Sequence, residues 1–116
     1  MAGKRVLFVC FEPASLVQRE RVITSHGFEV DTVLGLDGLM AASNIQEFAF
    51  ILIGDGGPLS ARQKSVRWLK EELAPAPIVM LCRGPENFPE ADYQVPASDP
   101  DCWFDIVSQQ NHQNLA

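Results

Sequence analysis

The chain has 116 residues, of which 47% are hydrophobic and 21% charged, and its net charge is −6. This length and balance predict one globular domain that needs neither disulfides nor metal to fold. No apolar run reaches the roughly 18 residues of a membrane span. The apolar run near the N-terminus is too short for the core of a signal peptide, so we expect a cytoplasmic protein.

The acidic excess lies entirely in the last third of the chain. Up to Arg83, nine acidic residues balance nine Lys and Arg residues, whereas six acidic and no basic residues follow it. Such a surface repels nucleic acid and membranes and favours a basic protein partner. The simpler interpretation is a solvated acidic face. The six residues are Glu86, Glu90, Asp92, Asp99, Asp101 and Asp105.

Three short apolar runs predict buried strands covered on both faces, at residues 6–10, 49–53 and 77–82. Residues 28–34 alternate between apolar and polar over their first four positions, which is typical of a strand nearer the sheet edge. Residues 92–95 predict a short last strand.

Helices are predicted between these strands. The first runs from Pro13 to about His26, and a short second one is capped by Asp37. A capping box of Ser60 with Gln63 predicts the start of a third helix, which Pro75 ends.

The segment after the fourth strand is unusual because residues 83–91 contain one glycine and two prolines, which disfavour a full helix. Asp99 and Pro100 then predict the start of a last helix. Its apolar side chains should be buried. Residues 1–108 are expected to form the domain, and residues 109–116 a polar tail or the start of a linker. The apolar side chains of the last helix are Trp103, Phe104, Ile106 and Val107.

Strands that alternate with helices predict a parallel sheet covered on both faces. The simplest such fold is a three-layer flavodoxin-like sandwich with strand order 2-1-3-4-5 and a shortened or absent fourth helix. Ligands of these sheets bind beyond the carboxyl ends of the strands. We therefore expect residues 54–58 at the floor of any site.

With its predicted strands and helices in this order, the chain resembles the receiver domains of response regulators, which are the phosphoacceptor modules of two-component signalling. Residues 6–13 resemble the family's first strand and its acidic loop ending in Glu-Pro. Residues 27–30 resemble the start of its second strand, and residues 48–58 its third strand with the Asp-x-x-x-Pro loop. Residues 77–82 and 92–107 resemble its fourth strand and its fifth strand and helix.

The five side chains that the family uses for chemistry are all replaced. Cys10 and Phe11 stand where two acidic residues hold magnesium, and Gly54 stands where an aspartate accepts the phosphoryl group. Cys82 replaces a hydroxyl, and Pro96 replaces a lysine. Phosphoryl transfer relies on positioning and charge neutralisation, so the resemblance implies a degenerate pseudo-receiver without magnesium or another cofactor.

Two carboxylates keep an alternative open, namely an atypical receiver that is phosphorylated on Asp55 with help from Glu12. Asp55 lies one position past the expected acceptor. Since a shift of one residue along a strand turns a side chain to the other face, we expect Asp55 to point away from the pocket as a solvated turn residue.

The family docks partners through its fourth helix and fifth strand and helix, which implies a rebuilt partner surface here. Candidate residues for binding a protein partner or forming a homodimer are the acidic ones of the last third with Phe88. We expect Phe88 to be tucked over the core, with an exposed anchor as the alternative. The candidate surface consists of Glu86, Phe88, Glu90, Asp92, Asp101 and Asp105.

Cysteine chemistry offers two rival functions. Cys10 resembles the nucleophile of the low-molecular-weight tyrosine phosphatases, but the required Cys-x5-Arg is absent because Leu16 stands at the arginine position. A redox sensor is the other rival, although buried inert thiols are the simpler interpretation. The sequence thus predicts a signalling module that is neither phosphorylated nor an enzyme, acts through protein–protein contacts and has its output domain, if any, outside this chain.

Overall fold

The computed structural model describes residues 5–42, 48–72, 74, 76–83, 88, 90–99 and 102–104. Five strands form one parallel sheet. They are β1 (Arg5–Cys10), β2 (Glu29–Leu34), β3 (Phe50–Ile53), β4 (Ile78–Cys82) and β5 (Tyr93–Pro96).

The order of the strands is β2-β1-β3-β4-β5, and every neighbouring pair is parallel. The prediction of a flavodoxin-like sheet is therefore confirmed. β3 is central and all four of its residues are buried, whereas β2 lies at an edge and has no buried residue. These exposures follow the sequence patterns: β3 is apolar throughout, whereas β2 alternates.

Three helices connect the strands: α1 (Leu16–Ser25), α2 (Gly35–Ala41) and α3 (Leu59–Glu71). A 3-10 turn, Pro13–Ser15, precedes α1. Two predicted caps are wrong. α2 begins before Asp37 and α3 begins before Ser60, so both side chains lie inside the first turn, where they cannot act as N-caps.

The alternation of side chains along β1 divides the core into two clusters, one on each face of the sheet. Val6 and Phe8 pack with α1 residues and with Trp103 and Phe104. Leu7 and Val9 pack on the other face with α2 and α3 residues and with Phe88. Two-sided burial of β1 is the reason that the strand is apolar at every position from residue 6 to residue 10.

The segment after β4 covers the second face with a single aromatic side chain. Phe88 is 2% exposed, as expected for a lid tucked over the core. Its backbone N–H donates to Oε1 of Gln94 at 2.8 Å, and the guanidinium of Arg62 lies 5.3 Å from its ring centroid. Residues 84–87 and 89 lie outside the described residues.

Residues 102–104 are helical, and Trp103 and Phe104 are buried, as predicted for the last helix. The ring of Phe104 stacks on His26 with centroids 4.1 Å apart. Ile106, Val107 and the predicted tail at residues 109–116 lie outside the described residues. Among the helices that the structure describes, none has the length and hydrophobicity to span a membrane.

Replacement of Phe88 by alanine tests the role of this lid. Because the ring is buried in the core, Phe88→Ala should lower the free energy of unfolding by about 3–5 kcal/mol in a urea titration. Met40→Ala is the control, since Met40 is exposed on α2 and its truncation should change the value by less than about 0.5 kcal/mol. Equally small decreases in the free energy of unfolding of both variants would show that Phe88 does not belong to the core.

Candidate functional site

A cleft of about 870 Å³ opens at the carboxyl edge of the sheet. It lies where parallel sheets bind ligands, between the ends of β3, β4 and β5 and the start of α1. As expected, part of the loop after β3 contributes to it. The lining residues are Gln18, Arg19, Asp55, Cys82, Arg83, Gln94, Val95, Pro96, Ala97 and Ser98.

Asp55 faces this cleft, which corrects the expectation that it is a solvated residue pointing away. Its side chain is only 4% exposed and contributes to the cleft wall. β3 ends at Ile53, so Asp55 lies in a bend beyond the strand. The alternation of faces applies only to extended, paired residues, and it therefore does not fix the direction of Asp55.

Two glycines allow the loop after Asp55 to pass close to the loop after β1. A Cβ atom on Gly56 would overlap Cβ of Glu12, and one on Gly57 would lie 2.7 Å from Cβ of Phe11. Gly57 also has a φ of 76°, which disfavours other residues. This close approach brings the side chains of Glu12 and Asp55 to the same edge of the sheet.

Two arginines bind the Asp55 carboxylate. Nη2 of Arg19 lies 3.0 Å from Oδ1 and 3.2 Å from Oδ2, and Nε of Arg83 lies 2.6 Å from Oδ2. Arg19 comes from α1 and Arg83 directly follows β4, so three separate parts of the chain meet at this carboxylate. A buried carboxylate needs charged partners of this kind to remain ionised.

The pKa of Asp55 reflects opposing effects. Burial alone raises it, but the hydrogen bond from Arg83 and the positive charge of Arg19 outweigh burial, and the net pKa lies below its ordinary value. The hydrogen bond to Asp55 correspondingly raises the pKa of Arg83. The described contacts therefore favour an ionised Asp55 between two cations.

Arg83 also contacts the second carboxylate, because its Nη2 lies 3.3 Å from Oε1 of Glu12. One guanidinium thus bridges Glu12 and Asp55, the two carboxylates predicted as an alternative metal and phosphoryl site. The Glu12 contact is half-exposed and contributes little energy by itself. Its importance is geometric, since a fixed cation of the chain lies between the two carboxylates.

Arg19 links the cleft to the C-terminal part of the chain. Its guanidinium carbon lies 5.3 Å from the ring centroid of Trp103, and its Nη1 lies 3.4 Å from the carbonyl oxygen of Ala97. Nε1 of Trp103 donates to the carbonyl oxygen of Pro96 at 2.9 Å. The Asp55 carboxylate, Arg19, the end of β5 and residues 102–104 therefore form one connected network.

Of the five residues predicted to replace the receiver's phosphorylation residues, only two line the cleft. Cys82 and Pro96 line it, and they are paired across β4 and β5. Cys10 and Phe11 instead pack into the two core clusters. Gly54 is buried, and a Cβ there would lie 3.0 Å from the carbonyl oxygen of Val9, so β1 leaves little room for a side chain.

Cys10, Cys82 and Cys102 form no disulfides, and their surroundings differ. Cys10 is buried, and burial is the main reason that its pKa is raised, which disfavours the thiolate needed for redox or nucleophilic reactions. Cys82 is half-buried at the cleft, more exposed than the inert core thiol expected. β3 lies between β1 and β4, and strands separated by another strand are too far apart for a Cys10–Cys82 disulfide.

The predicted partner surface is only partly described, and its described members have intramolecular contacts. Phe88 is buried, so it is not an exposed anchor. Asp92 accepts hydrogen bonds from the backbone N–H of Ile78 at 2.7 Å and from Nζ of Lys70 at 3.1 Å. Glu90 is paired with Arg67. Glu86, Asp101 and Asp105 lie outside the described residues.

Comparison with solved structures places this architecture among known folds. Similar structures include a receiver domain from Methanospirillum hungatei, with 16% identity, a TM-score of 0.74, and coverage of 95% of this chain and 94% of that one. CheY4 of Vibrio cholerae is 20% identical, with a TM-score of 0.72 and coverage of 93% of this chain and 98% of that one. TrrA of Thermotoga maritima, solved in complex with Mg²⁺ and BeF, is 18% identical, with a TM-score of 0.70 and coverage of 95% of this chain and 97% of that one.

The chain has a receiver-domain fold. Neither a protein-family profile nor a curated protein sequence matches it. At these identities the likeness establishes the fold and leaves the chemistry to the residues in the cleft. Two of those residues, Arg19 and Arg83, were missed by the sequence analysis. Arg83 follows the predicted fourth strand directly, and this placement at the carboxyl edge was the available signal.

Magnesium, which the fold family implies, does not fit the described residues of this cleft. A magnesium site uses carboxylate oxygens and water. Here the Asp55 oxygens accept hydrogen bonds from two guanidiniums, and a third contact joins Arg83 to Glu12. In the part of the chain that the structure describes, no three acidic, histidine or cysteine side chains are grouped as a metal site.

The stability of the protein should depend on ionised Asp55. At neutral pH, Asp55→Asn should lower the free energy of unfolding by about 2 kcal/mol, because two charged hydrogen-bond donors lose their anion. The folded-state pKa is lowered, so this contribution is complete above the ordinary aspartate pKa of about 4 and is lost as the pH falls through the lower folded-state value.

Urea titrations between about pH 7 and about pH 2 measure this difference. The difference in the free energy of unfolding between the unchanged protein and Asp55→Asn should narrow only below the ordinary aspartate pKa. Asp37→Asn, at an exposed position of α2, is the matched control and should show a small gap at neutral pH. A gap for Asp55→Asn that persists unchanged at the lowest pH would contradict the ion-pair explanation.

Proposed function

We propose that this chain is a receiver-like module of a two-component-type signalling protein that is not phosphorylated and is not an enzyme. The observation that carries the proposal is the pairing of Asp55 with Arg19 and Arg83 inside the cleft. A receiver stores information as a phosphoryl group on a carboxylate. Here the carboxylate nearest the expected position is already neutralised by side chains of the same chain.

The charges argue against phosphoryl transfer to Asp55. Attack by a carboxylate on a phosphoryl donor requires an accessible oxygen and a metal ion that neutralises the transferred group. Both Asp55 oxygens are hydrogen-bonded, and the carboxylate is almost fully buried. Arg83 bridges to Glu12, the other acidic residue of the alternative site. We therefore favour a cleft without magnesium or another cofactor.

A titration with beryllium fluoride and magnesium, followed by amide NMR, tests this proposal. The analogue mimics a phosphoryl group on aspartate, so we expect no shifts clustered at Glu12, Asp55 and Cys82. Beryllium fluoride without magnesium is the reagent control, and Asp55→Asn is the control variant. Clustered shifts that require magnesium and vanish in Asp55→Asn would overturn the proposal in favour of the phosphorylatable alternative.

The module is proposed to act through protein–protein contacts, either with a partner or with a second copy. The Thermotoga protein TrrA has been solved in complex with the histidine kinase ThkA, an example of such a contact by a protein with this fold. In the present chain, large apolar side chains are exposed at Val17, Leu34 and Leu59. Leu34 is the last residue of β2, and Val17 and Leu59 lie in the first turns of α1 and α3. They are better candidates for contacts than the buried Phe88.

Sedimentation velocity over a wide concentration range tests the interaction role. We expect self-association, or capture of a specific partner from the source cells, because exposed apolar side chains on one edge of a sheet favour contacts. The double variant Leu34→Gln and Leu59→Gln should weaken the association, whereas Arg21→Gln, exposed on α1, should not. A strict monomer that also captures no partner would contradict this role.

A further inference from the structure

We propose that the outer edge of β2 binds an extended segment of a partner protein in which basic and apolar residues alternate. The inference deepens the proposed function, because it rests on the interaction role and names the surface and the chemistry of the partner. Three features of the edge carry it: outward backbone groups, exposed apolar side chains on one side and acidic side chains on the other. Extended segments add a strand to such an edge through main-chain hydrogen bonds.

The hydrogen bonds of β1 determine which of its residues face β2. The carbonyl oxygen of Arg5 accepts from the N–H of Ala49 at 2.7 Å, and that of Val9 accepts from Gly54 at 2.9 Å. Both donors lie on the β3 side of the sheet. The N–H and C=O groups of one strand residue point to the same side, and this side alternates along the strand. The odd-numbered residues of β1 therefore face β3, and the even-numbered ones face β2.

The register between β1 and β2 then identifies the outward groups of β2. Val6 is aligned with Val30, so the backbone of Val6 bonds to the residues on either side of Val30. The outward residues of β2 are consequently Val30, Thr32 and Leu34. The carbonyl of Leu34 is at the N-cap of α2, which leaves its N–H for the edge. In the part of the chain that the structure describes, no loop or terminal backbone group bonds to these three residues.

The opposite edge of the sheet, at β5, is protected. The N–H of Ala97 donates to the carbonyl oxygen of Cys82 at 2.9 Å, so Ala97 faces β4 and Pro96 faces outward. Pro96 has no N–H, and its carbonyl oxygen accepts from Nε1 of Trp103 at 2.9 Å and from the N–H of Asp99 at 3.2 Å. β2 contains neither proline nor glycine. Since prolines and covering groups are what keep an edge from pairing, β2 is the edge open to another strand.

Apolar side chains are exposed on the α1 side of the β2 edge. The hydroxyl of Thr32 donates to Oε2 of Glu20, which places α1 over the even-numbered side chains of β2. Leu34, the next residue on this side, is 54% exposed, and Val17, one turn before Glu20, is 59% exposed. Because α1 runs in the opposite direction to β2, both lie toward the carboxyl end of the strand. Apolar residues of an added strand would cover them.

Acidic side chains dominate the other side of the strand and its surroundings. Glu29 is exposed at the start of β2, and the half-exposed Asp31 is paired with Arg5 of β1. On β2 and beside it, the described residues include four acidic and two basic side chains, which leaves −2. The acidic ones are Glu20, Glu29, Asp31 and Asp37, and the basic ones are Arg5 and Arg21.

This charge favours a basic partner over a second copy of the chain. Two copies joined at this edge would bring two such acidic surfaces together, which disfavours association. Basic residues of an added strand would instead lie beside Glu29 and Asp31. Because side chains alternate along a strand, the sequence that fits has Lys or Arg at every second position and apolar residues between them. Six residues match the length of β2.

The test is a titration of the full chain with the synthetic peptide acetyl-Lys-Val-Lys-Val-Lys-Val-amide, followed by amide NMR and hydrogen exchange. We expect saturable shifts along β2 and slower exchange at the amides of Val30, Thr32 and Leu34, since an added strand bonds only to outward groups. The amides of Asp31 and Val33 already donate to β1 and should change little. Protection at alternate residues distinguishes strand addition from nonspecific attraction of a cation.

Two control peptides separate the contributions of charge and alternation. Acetyl-Glu-Val-Glu-Val-Glu-Val-amide keeps the alternation and reverses the charge. Acetyl-Lys-Lys-Lys-Val-Val-Val-amide keeps the composition and removes the alternation. Each should bind more weakly than the first peptide by about tenfold or more, because several surface charge pairs or apolar contacts are lost. Added sodium chloride should weaken binding of the first peptide, because it screens exposed charges.

Variants of the chain locate the binding edge. Thr32→Pro removes an outward N–H at an edge position, where proline is compatible with a sheet, and should abolish the saturable shifts. Glu29→Lys should weaken binding by about threefold or more, because an attraction becomes a repulsion. Glu71→Lys makes the same charge change at an exposed position of α3 and should leave binding unchanged. Circular dichroism establishes that each variant is folded.

Several outcomes would overturn the proposal. These are the absence of saturation with the Lys-Val peptide, shifts confined to other surfaces, or equal effects of Glu29→Lys and Glu71→Lys. If Thr32→Pro fails to fold, the two lysine variants decide. Protection of the outward amides that grows with protein concentration, without peptide, would identify a second copy as the occupant and also reject the basic segment.

Failure of this proposal is distinguishable from failure of the proposed function. Self-association or partner capture that persists in Thr32→Pro would reject the β2 edge and leave the interaction role standing. The beryllium fluoride titration reports on phosphorylation alone, and its result does not depend on peptide binding.

Discussion

The neutralisation of one buried carboxylate organises the functional edge of this protein. Asp55 is removed from solvent at the centre of a cleft, and its ionised form requires the charges of Arg19 and Arg83. These partners come from α1 and from the residue after β4, so the ion pairs tie α1 to the carboxyl edge of the sheet. Loss of either arginine would leave a buried charge with incomplete compensation.

The same interaction balances the charge of the cleft with side chains of this chain alone. In a phosphorylatable receiver, the acidic pocket requires a metal ion to offset its negative charge. Here, guanidiniums of the chain provide that offset at Asp55, and Arg83 extends it to Glu12. A fixed internal cation makes the charge balance of the cleft independent of an added metal.

The network also connects the cleft to the C-terminal part of the domain. Arg19 contacts Asp55 on one side and lies over Trp103 on the other, and Trp103 is hydrogen-bonded to the end of β5. A change in the contacts of Arg19 therefore affects packed core residues.

The sequence by itself determined which segments form the buried strands, because these follow from local apolar patterns. It predicted the strand order as the simplest arrangement and the tucked position of Phe88 over an exposed one, and the structure confirmed both. The resemblance to receiver domains also predicted that their phosphorylation residues are replaced. The direction of Asp55 and its pairing with Arg19 and Arg83 were decided only by the tertiary structure. The two arginines lie 36 residues before Asp55 and 28 residues after it, and no local pattern encodes such contacts. Bends beyond strand ends escape the alternation rule, which is why the prediction for Asp55 was wrong.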